Sequence, residues 1–303
     1  MADRARLHHS STLVSYLRER RDQVDGHLSS LVPGESIPPV LGEAVERALE
    51  SKGKRLRGVL TLAVGEACGT RPEKLLDAAS AFEMIHTSSL IIDDLPSLED
   101  AELRRGEPTL HRVFGEDRAI LTAVALLNHA YGLLSRNHAA LSPRKWSHDA
   151  FIQRVVSAVG WDGTIGGEAV DLNSEEETLD FQTLEYIHSR KTGALFVAAA
   201  AAGAVLANGS QAILRSVEAY AKNLGLAYQI TDDIRDVTST AEKLGKDVGK
   251  DEGKLTFVRL AGLDGARQLT GELIETSIQA ISPLGGKSER LKELALWVRD
   301  RDR

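Results

Sequence analysis

The sequence predicts an all-α protein, a single-domain helical bundle, and three observations carry that expectation. Among 303 residues there are only eight prolines and 5% aromatics, while the strong helix formers Ala, Leu, Glu, Lys and Arg abound. Apolar residues recur at three- and four-residue intervals through several long stretches. Alternating runs bounded by Asn-Gly or Asp-Gly turns, the signature of hairpins, are missing. The length is sufficient for one large core, and no internal repeat or low-complexity linker divides it, so residues 1–303 read as one domain with 1–30 as a peripheral helical segment. A net charge of −7 argues against a general nucleic-acid or anionic-membrane binder. One cysteine, Cys68, excludes an intrachain disulfide and fits a reducing, cytoplasmic location. The N-terminus has no apolar core of a secretory signal.

The elements follow in order. Ser51-Lys52-Gly53-Lys54-Arg55-Leu56-Arg57 precedes an apolar helix and sets Lys54 and Arg57 within one turn of its start, where amide donors favour anions. Residues 75–94 place Leu76, Ala79, Phe82, Met84, Ile85, Leu90 and Ile91 at helical spacing, and Pro96 closes the segment. A second amphipathic helix covers 119–134. The run 194–207 is almost all alanine and small apolar residues, too short to span a bilayer at about 20 residues. It reads as a buried helix surrounded by others, and no transmembrane segment is expected. A long helix covers 211–237, starting near Asn208-Gly209-Ser210. The polar stretches 98–108, 173–180 and 238–254 read as loops within the domain.

Two acidic clusters carry the chemistry. Asp93, Asp94, Glu99 and Asp100 lie within eight residues, directly after Leu90-Ile91-Ile92. Hard oxygen ligands without a Cys or local His pair suit Mg²⁺, and a solvated acidic helix end is the plain alternative. The second cluster, Gln229, Asp232, Asp233 and Asp236, sits in a predicted helix, with Asp232 and Asp236 on one face. Like charges at that spacing destabilise a helix, and a divalent cation supplies a reason to keep them. Basic residues alternate with the acids: Arg104-Arg105 after the first cluster, Lys191-Thr192-Gly193 before the alanine-rich helix, and Lys246, Lys250 and Lys254 after the second cluster. Each alone is more often a solvated charge. Together they fit diphosphates bridged by Mg²⁺, with Arg and Lys on the remaining oxygens.

The strings GKRLRG (53–58), FEMIHTSSLIIDDLPSLEDAELRRGEPTLHRVFGE (82–116), KTG (191–193), LGLAYQITDDIRDV (224–237) and GKDVGKDEGKLTF (245–257) resemble, in order and spacing, the trans-isoprenyl diphosphate synthases, the head-to-tail prenyltransferases. The resemblance implies the isoprenoid synthase fold, a helical bundle around a central cavity, in a homodimer. It implies condensation of isopentenyl diphosphate with an allylic diphosphate by Mg²⁺-assisted ionisation, with about three ions. It places isopentenyl diphosphate on Lys54, Arg57, His86 and Arg105, and the allylic diphosphate on Arg104, Lys191, Thr192, Gln229 and Lys246. The metal ligands implied are Asp93, Asp94, Glu99 or Asp100, and Asp232 with Asp233 and Asp236. Helix arithmetic supports one pairing: His86 and Asp93, seven residues apart, share a face about 10 Å apart along the axis.

Two positions depart from the family pattern. Glu99 stands where an Asp is usual, so whether Glu99 or its neighbour Asp100 ligates metal is open. Glu168 stands where the family usually has Gln, ahead of Asp171. Product length is steric: Ser88 and Ser89, five and four residues before Asp93, are small, and Met84 and Ile85 lie a turn further down. Geranylgeranyl diphosphate is the expected product, with farnesyl or longer polyprenyl diphosphates as alternatives. A class I terpene cyclase and a non-catalytic synthase subunit are the rival readings.

Overall fold

In the computed structural model, which describes residues 2–32, 37–174, 180–238 and 256–300, helices make up nearly all regular structure. The chain runs through α1 (Ala2–Ser30), α2 (Pro39–Glu50), α3 (Leu56–Ala67) and α4 (Leu76–Asp93), the last entered through a 3-10 turn at Pro72–Leu75. A small antiparallel hairpin follows, β1 (Leu103–Arg104) with β2 (Glu107–Pro108). Next come α5 (Leu110–Phe114), α6 (Glu116–Leu141), α7 (His148–Val159), α8 (Thr164–Leu172) and α9 (Phe181–His188). A π-helical turn at Ser189–Gly193 leads into α10 (Ala194–Leu206), then α11 (Gln211–Thr238) and α12 (Phe257–Ala280). A 3-10 segment at Ser282–Ser288 precedes α13 (Glu289–Arg299).

The alanine-rich helix is the centre, as its composition predicts. Helix α10 packs against α3, α4, α7 and α11, and Ala198 through Leu206 are all buried. Its small side chains let α3 come unusually close: a Cβ on Gly203 would lie 2.4 Å from the Thr61 carbonyl oxygen, and the Thr61 hydroxyl donates to the Ala199 carbonyl at 3.1 Å. Helix α4 fits between α3 and α6, and α11 pairs extensively with α12. The helices expected at 75–94, 119–134 and 211–237 correspond to α4, the interior of α6, and α11.

Two details differ from expectation. The stretch 98–108, read as loop, contains the hairpin; two-residue strands are too short to show alternation, and its turn is made by Arg105 (φ 57°) and Gly106 (φ 80°), both left-handed. Helix α1 is more than a peripheral attachment. Val24 and Leu28 are fully buried in the main core, Arg20 bridges Glu66 at 2.7 Å, and Asp77 accepts from both His27 and Arg136 at 2.8 Å. Residues 72–93 are long and apolar enough to cross a bilayer by length and composition alone. They are packed instead against α3, α6 and α10, as a core helix of this bundle.

Candidate active site

The loop into α3 is set by a residue that the sequence reading passed over. Arg55 adopts a left-handed conformation (φ 47°), and its buried guanidinium donates to Asp25 at 2.6 Å and to the carbonyls of Leu49 at 2.7 Å and Ser51 at 2.9 Å. Buried Glu83 on α4 accepts from the Gly58 N–H at 2.8 Å and lies 4.0 Å from the Arg55 guanidinium. With Arg55 committed to the scaffold, its neighbours face elsewhere. The Lys54 ammonium stands over the rings of Tyr228 (5.9 Å) on α11 and Trp297 (5.8 Å) on α13. Arg57 lies 4.9 Å from the Phe196 ring, which itself packs against Tyr228 at 5.5 Å.

His86, Arg57 and Arg105 lie within electrostatic reach of one another. Burial holds His86 well below the ordinary imidazole range, and the charges of Arg57, Arg105, Arg104 and Arg55 push it the same way. It is therefore a neutral hydrogen-bonding group at neutral pH. Burial also lowers Arg57, whose Nε is enclosed without a hydrogen-bond partner, and the charge of Asp232 reaches it from α11. Arg105 donates to the Lys52 carbonyl at 2.6 Å, which pins the hairpin to the Lys54 loop.

The first acidic cluster folds back on itself. Asp93 ends α4, and the Glu99 and Ala101 amides return to the carbonyls of Asp93 (3.0 Å) and Asp94 (3.2 Å). Arg104 holds the carboxylates together, donating to Asp94 at 2.8 Å through Nε and to Glu99 at 3.4 Å. Asp100, left-handed at φ 46°, turns outward toward Arg112 at 3.6 Å. The geometry thus groups Glu99, not Asp100, with Asp94. Burial, then the charge of Glu168, pushes the Asp93 carboxyl up to about 7. That is a concentration of negative charge which a cation would relieve.

Across the site, Lys191 in the π turn sits 2.7 Å from both Glu168 and Asp171 of α8. Burial opposes its charge, but the two carboxylates prevail and hold it above the ordinary lysine range. The Thr192 hydroxyl reaches Gln229 at 3.4 Å. Asp232 and Asp236 lie half-buried along one stripe of α11, as the periodicity predicts. Asp233 does not join them as an available ligand. It is buried, accepting from Gln229 at 3.1 Å and from the first amide of α12, Phe257, also at 3.1 Å. A carboxylate at a helix N-terminus is electrostatically favoured, so this aspartate ties α11 to α12. Burial raises it to about 6. Lys246, Lys250 and Lys254 lie outside the described residues.

Among the described residues no three His, Cys, Asp or Glu side chains stand close enough together to cage an ion by themselves. The oxygen-only donor set still fits Mg²⁺, which binds through one or two carboxylates and completes its shell with water and substrate phosphate. Sequence reasoning missed Arg55, Glu83 and the aromatic partners of the two cations. Tyr228 adjoins Gln229 in the quoted motif, whereas nothing in the sequence points from Trp297 to Lys54.

An all-helical bundle in which cations and carboxylates interleave, Arg104 with Asp94 and Glu99 and Lys191 with Glu168 and Asp171, has the charge pattern of an enzyme for anionic substrates. Residues 38–293 match the model of the polyprenyl synthetase family, and the chain belongs to that family and is a prenyltransferase. It is 38% identical over 291 residues to geranylgeranyl pyrophosphate synthase 11 of Arabidopsis thaliana, covering 94% of this chain and 81% of the relative. It is 39% identical over 268 residues to the farnesyl diphosphate synthase of Geobacillus stearothermophilus, covering 88% and 90%. The crystal structure of an FPP/GFPP synthase from Zymomonas mobilis superposes with a TM-score of 0.83 at 32% identity, covering 95% of this chain and 99% of that one.

Proposed function

We propose that the protein condenses isopentenyl diphosphate head-to-tail with an allylic diphosphate to make geranylgeranyl diphosphate. The observation that supports this reading is the grouping of Arg57, His86 and Arg105 near the Lys54 loop, with Arg57 also within the field of Asp232 on α11. Lys54, Arg57 and Arg105 take the isopentenyl diphosphate oxygens, and neutral His86 adds a hydrogen bond. Arg104, Lys191, Thr192 and Gln229, with Lys246, receive the allylic diphosphate. Asp93, Asp94 and Glu99 on one side and Asp232 and Asp236 on the other are the groups to hold Mg²⁺, about three ions in all.

When bound, Mg²⁺ neutralises charge developing on the departing pyrophosphate. The allylic C1–O bond breaks with its electron pair going to that pyrophosphate, whose charge Arg104 and Lys191 stabilise. The double bond of isopentenyl diphosphate supplies the electron pair for the new C–C bond. A proton then leaves the adjacent carbon for the released pyrophosphate, so no protein nucleophile is needed. Buried apolar residues of α4, Met84, Ile85 and Ile91, disfavour water that would capture the cation.

Product length is read from α4. Ser88 is buried with its hydroxyl on the Ala123 carbonyl of α6 at 2.8 Å, Ser89 turns to the His86 carbonyl at 2.9 Å, and Met84 and Ile85 are buried one turn below. Small residues near Asp93 and bulky ones further down support twenty carbons over the farnesyl alternative. A second copy of the chain is the partner that would cover Ile120, Leu121 and Val124, exposed at 43–60% along α6. The lone Cys68 is compatible with a cytoplasmic site of action.

Incubation with labelled isopentenyl diphosphate and dimethylallyl, geranyl or farnesyl diphosphate, followed by sizing of the products, tests the reading. Twenty-carbon diphosphate is expected. Hydrocarbon from a single diphosphate would identify a cyclase, and turnover appearing only with a second protein would identify a subunit. Alanine at both Asp93 and Asp94 should abolish transfer.

A further inference from the structure

Among the described residues of the allylic side, Lys191 is the cation that two carboxylates flank at equal distance, 2.7 Å to Glu168 Oε2 and 2.7 Å to Asp171 Oδ2. The contact is fixed by backbone packing. Helix α8 approaches the π turn so closely that a Cβ on Gly167 would lie 2.4 Å from the Lys191 amide nitrogen. Glu168 and Asp171, one helical turn apart, are thereby pressed onto the same ammonium. One positive and two negative charges leave the trio net negative. The other Glu168 oxygen, Oε1, is buried with no hydrogen-bond partner, so no protein donor quenches it. A glutamine here would keep an acceptor for Lys191 while leaving the trio neutral.

We infer that Glu168 is a charge-setting positioning residue, whose extra negative charge weakens metal-free capture of the allylic diphosphate by Lys191 and so deepens the dependence of that capture on an accompanying divalent cation. The inference rests on the proposed role of Lys191 as an allylic diphosphate ligand. A diphosphate arriving without metal meets a net-negative cluster. One arriving with metal brings the charge that offsets Glu168. The isopentenyl side, built on Lys54, Arg57 and Arg105, has no such requirement.

The test is calorimetric binding of farnesyl diphosphate without isopentenyl diphosphate, so that no turnover occurs, in EDTA and in Mg²⁺. Removing one charge a few ångströms from the bound anion corresponds, at an effective dielectric of about 20, to roughly a ten-fold change or more. Glu168→Gln is expected to tighten binding in EDTA about ten-fold and to shrink the gain from Mg²⁺ correspondingly, with isopentenyl diphosphate binding unchanged. Glu168→Ala should also tighten binding in EDTA if charge is the cause. Glu168→Gln binding in EDTA no more tightly than wild type would overturn the inference. Lys191→Met separates the two layers: no weakening in either condition refutes the role of Lys191 itself, whereas weakening there with no effect of Glu168→Gln refutes only the charge-setting role. Thermal melts of each variant establish that it is folded.

Discussion

Arg55 sits between two residues assigned to the isopentenyl diphosphate, yet its guanidinium is spent on Asp25 and two backbone carbonyls. A sequence motif rich in cations cannot show which one the scaffold consumes, because that depends on acceptors brought from α1 and α2. Removing it takes the donor from the Leu49 and Ser51 carbonyls and the cation from buried Glu83, and leaves Asp25 with Arg21 at 3.9 Å. Arg55→Ala should lower stability by about 3 kcal/mol in a urea titration. The same limit explains Asp233, whose offset from Gln229 matches a ligand stripe while its oxygens serve the start of α12. His188 gives a pH prediction. Burial lowers it to about 4, and its Nε2 is enclosed without a partner. The unfolded chain, with a histidine near 6.5, binds more protons between those values, so this contribution to stability is complete above about pH 6.5 and is lost as pH falls toward 4. The loss amounts to up to about 3 kcal/mol. His188→Phe should flatten the fall of the urea midpoint over that window and pack against Phe257 as the imidazole does at 5.3 Å.

At the scale of elements, the long helices were legible because each repeats its pattern over several turns. The short devices that aim the site were not. The hairpin has two residues per strand, and the π turn is visible in sequence only as Lys191-Thr192-Gly193 ahead of an apolar run. Helix α13 carries no motif, and only packing brings Trp297 beside Lys54. An aromatic face attracts an ammonium by about 0.5–1 kcal/mol at an exposed site, a factor of roughly two to five in affinity. Trp297→Leu should therefore raise KM for isopentenyl diphosphate two- to five-fold with kcat and the allylic KM little changed, and Trp297→Phe should restore it. Equal damage from both substitutions in steady-state kinetics would make the residue a simple packing element.

For the whole molecule, the all-helical class followed from composition and periodicity, and the family from the order of its motifs. On the proposed function, depth along α4 is the property that links the fold to product size. Tyrosine at position 88, on the seam with α6, should stop growth one turn nearer Asp93. Ser88→Tyr is expected to shift products toward fifteen carbons by chromatography, and an unaltered distribution would reject this floor. The acidic net charge, which counts against nucleic acid, is compatible with small phosphorylated substrates because part of it is gathered where metal can offset it.

Arg104 and Arg105 are neighbours in the hairpin, one holding Asp94 and Glu99 and the other reaching the Lys52 carbonyl beside the Lys54 loop. Whatever anchors either arginine restrains the backbone of the next. With Arg104 on the allylic diphosphate and Arg105 on the isopentenyl diphosphate, as proposed, the ordering cost met by the first substrate is partly met already for the second, and the two affinities become linked by one common factor, whichever substrate binds first.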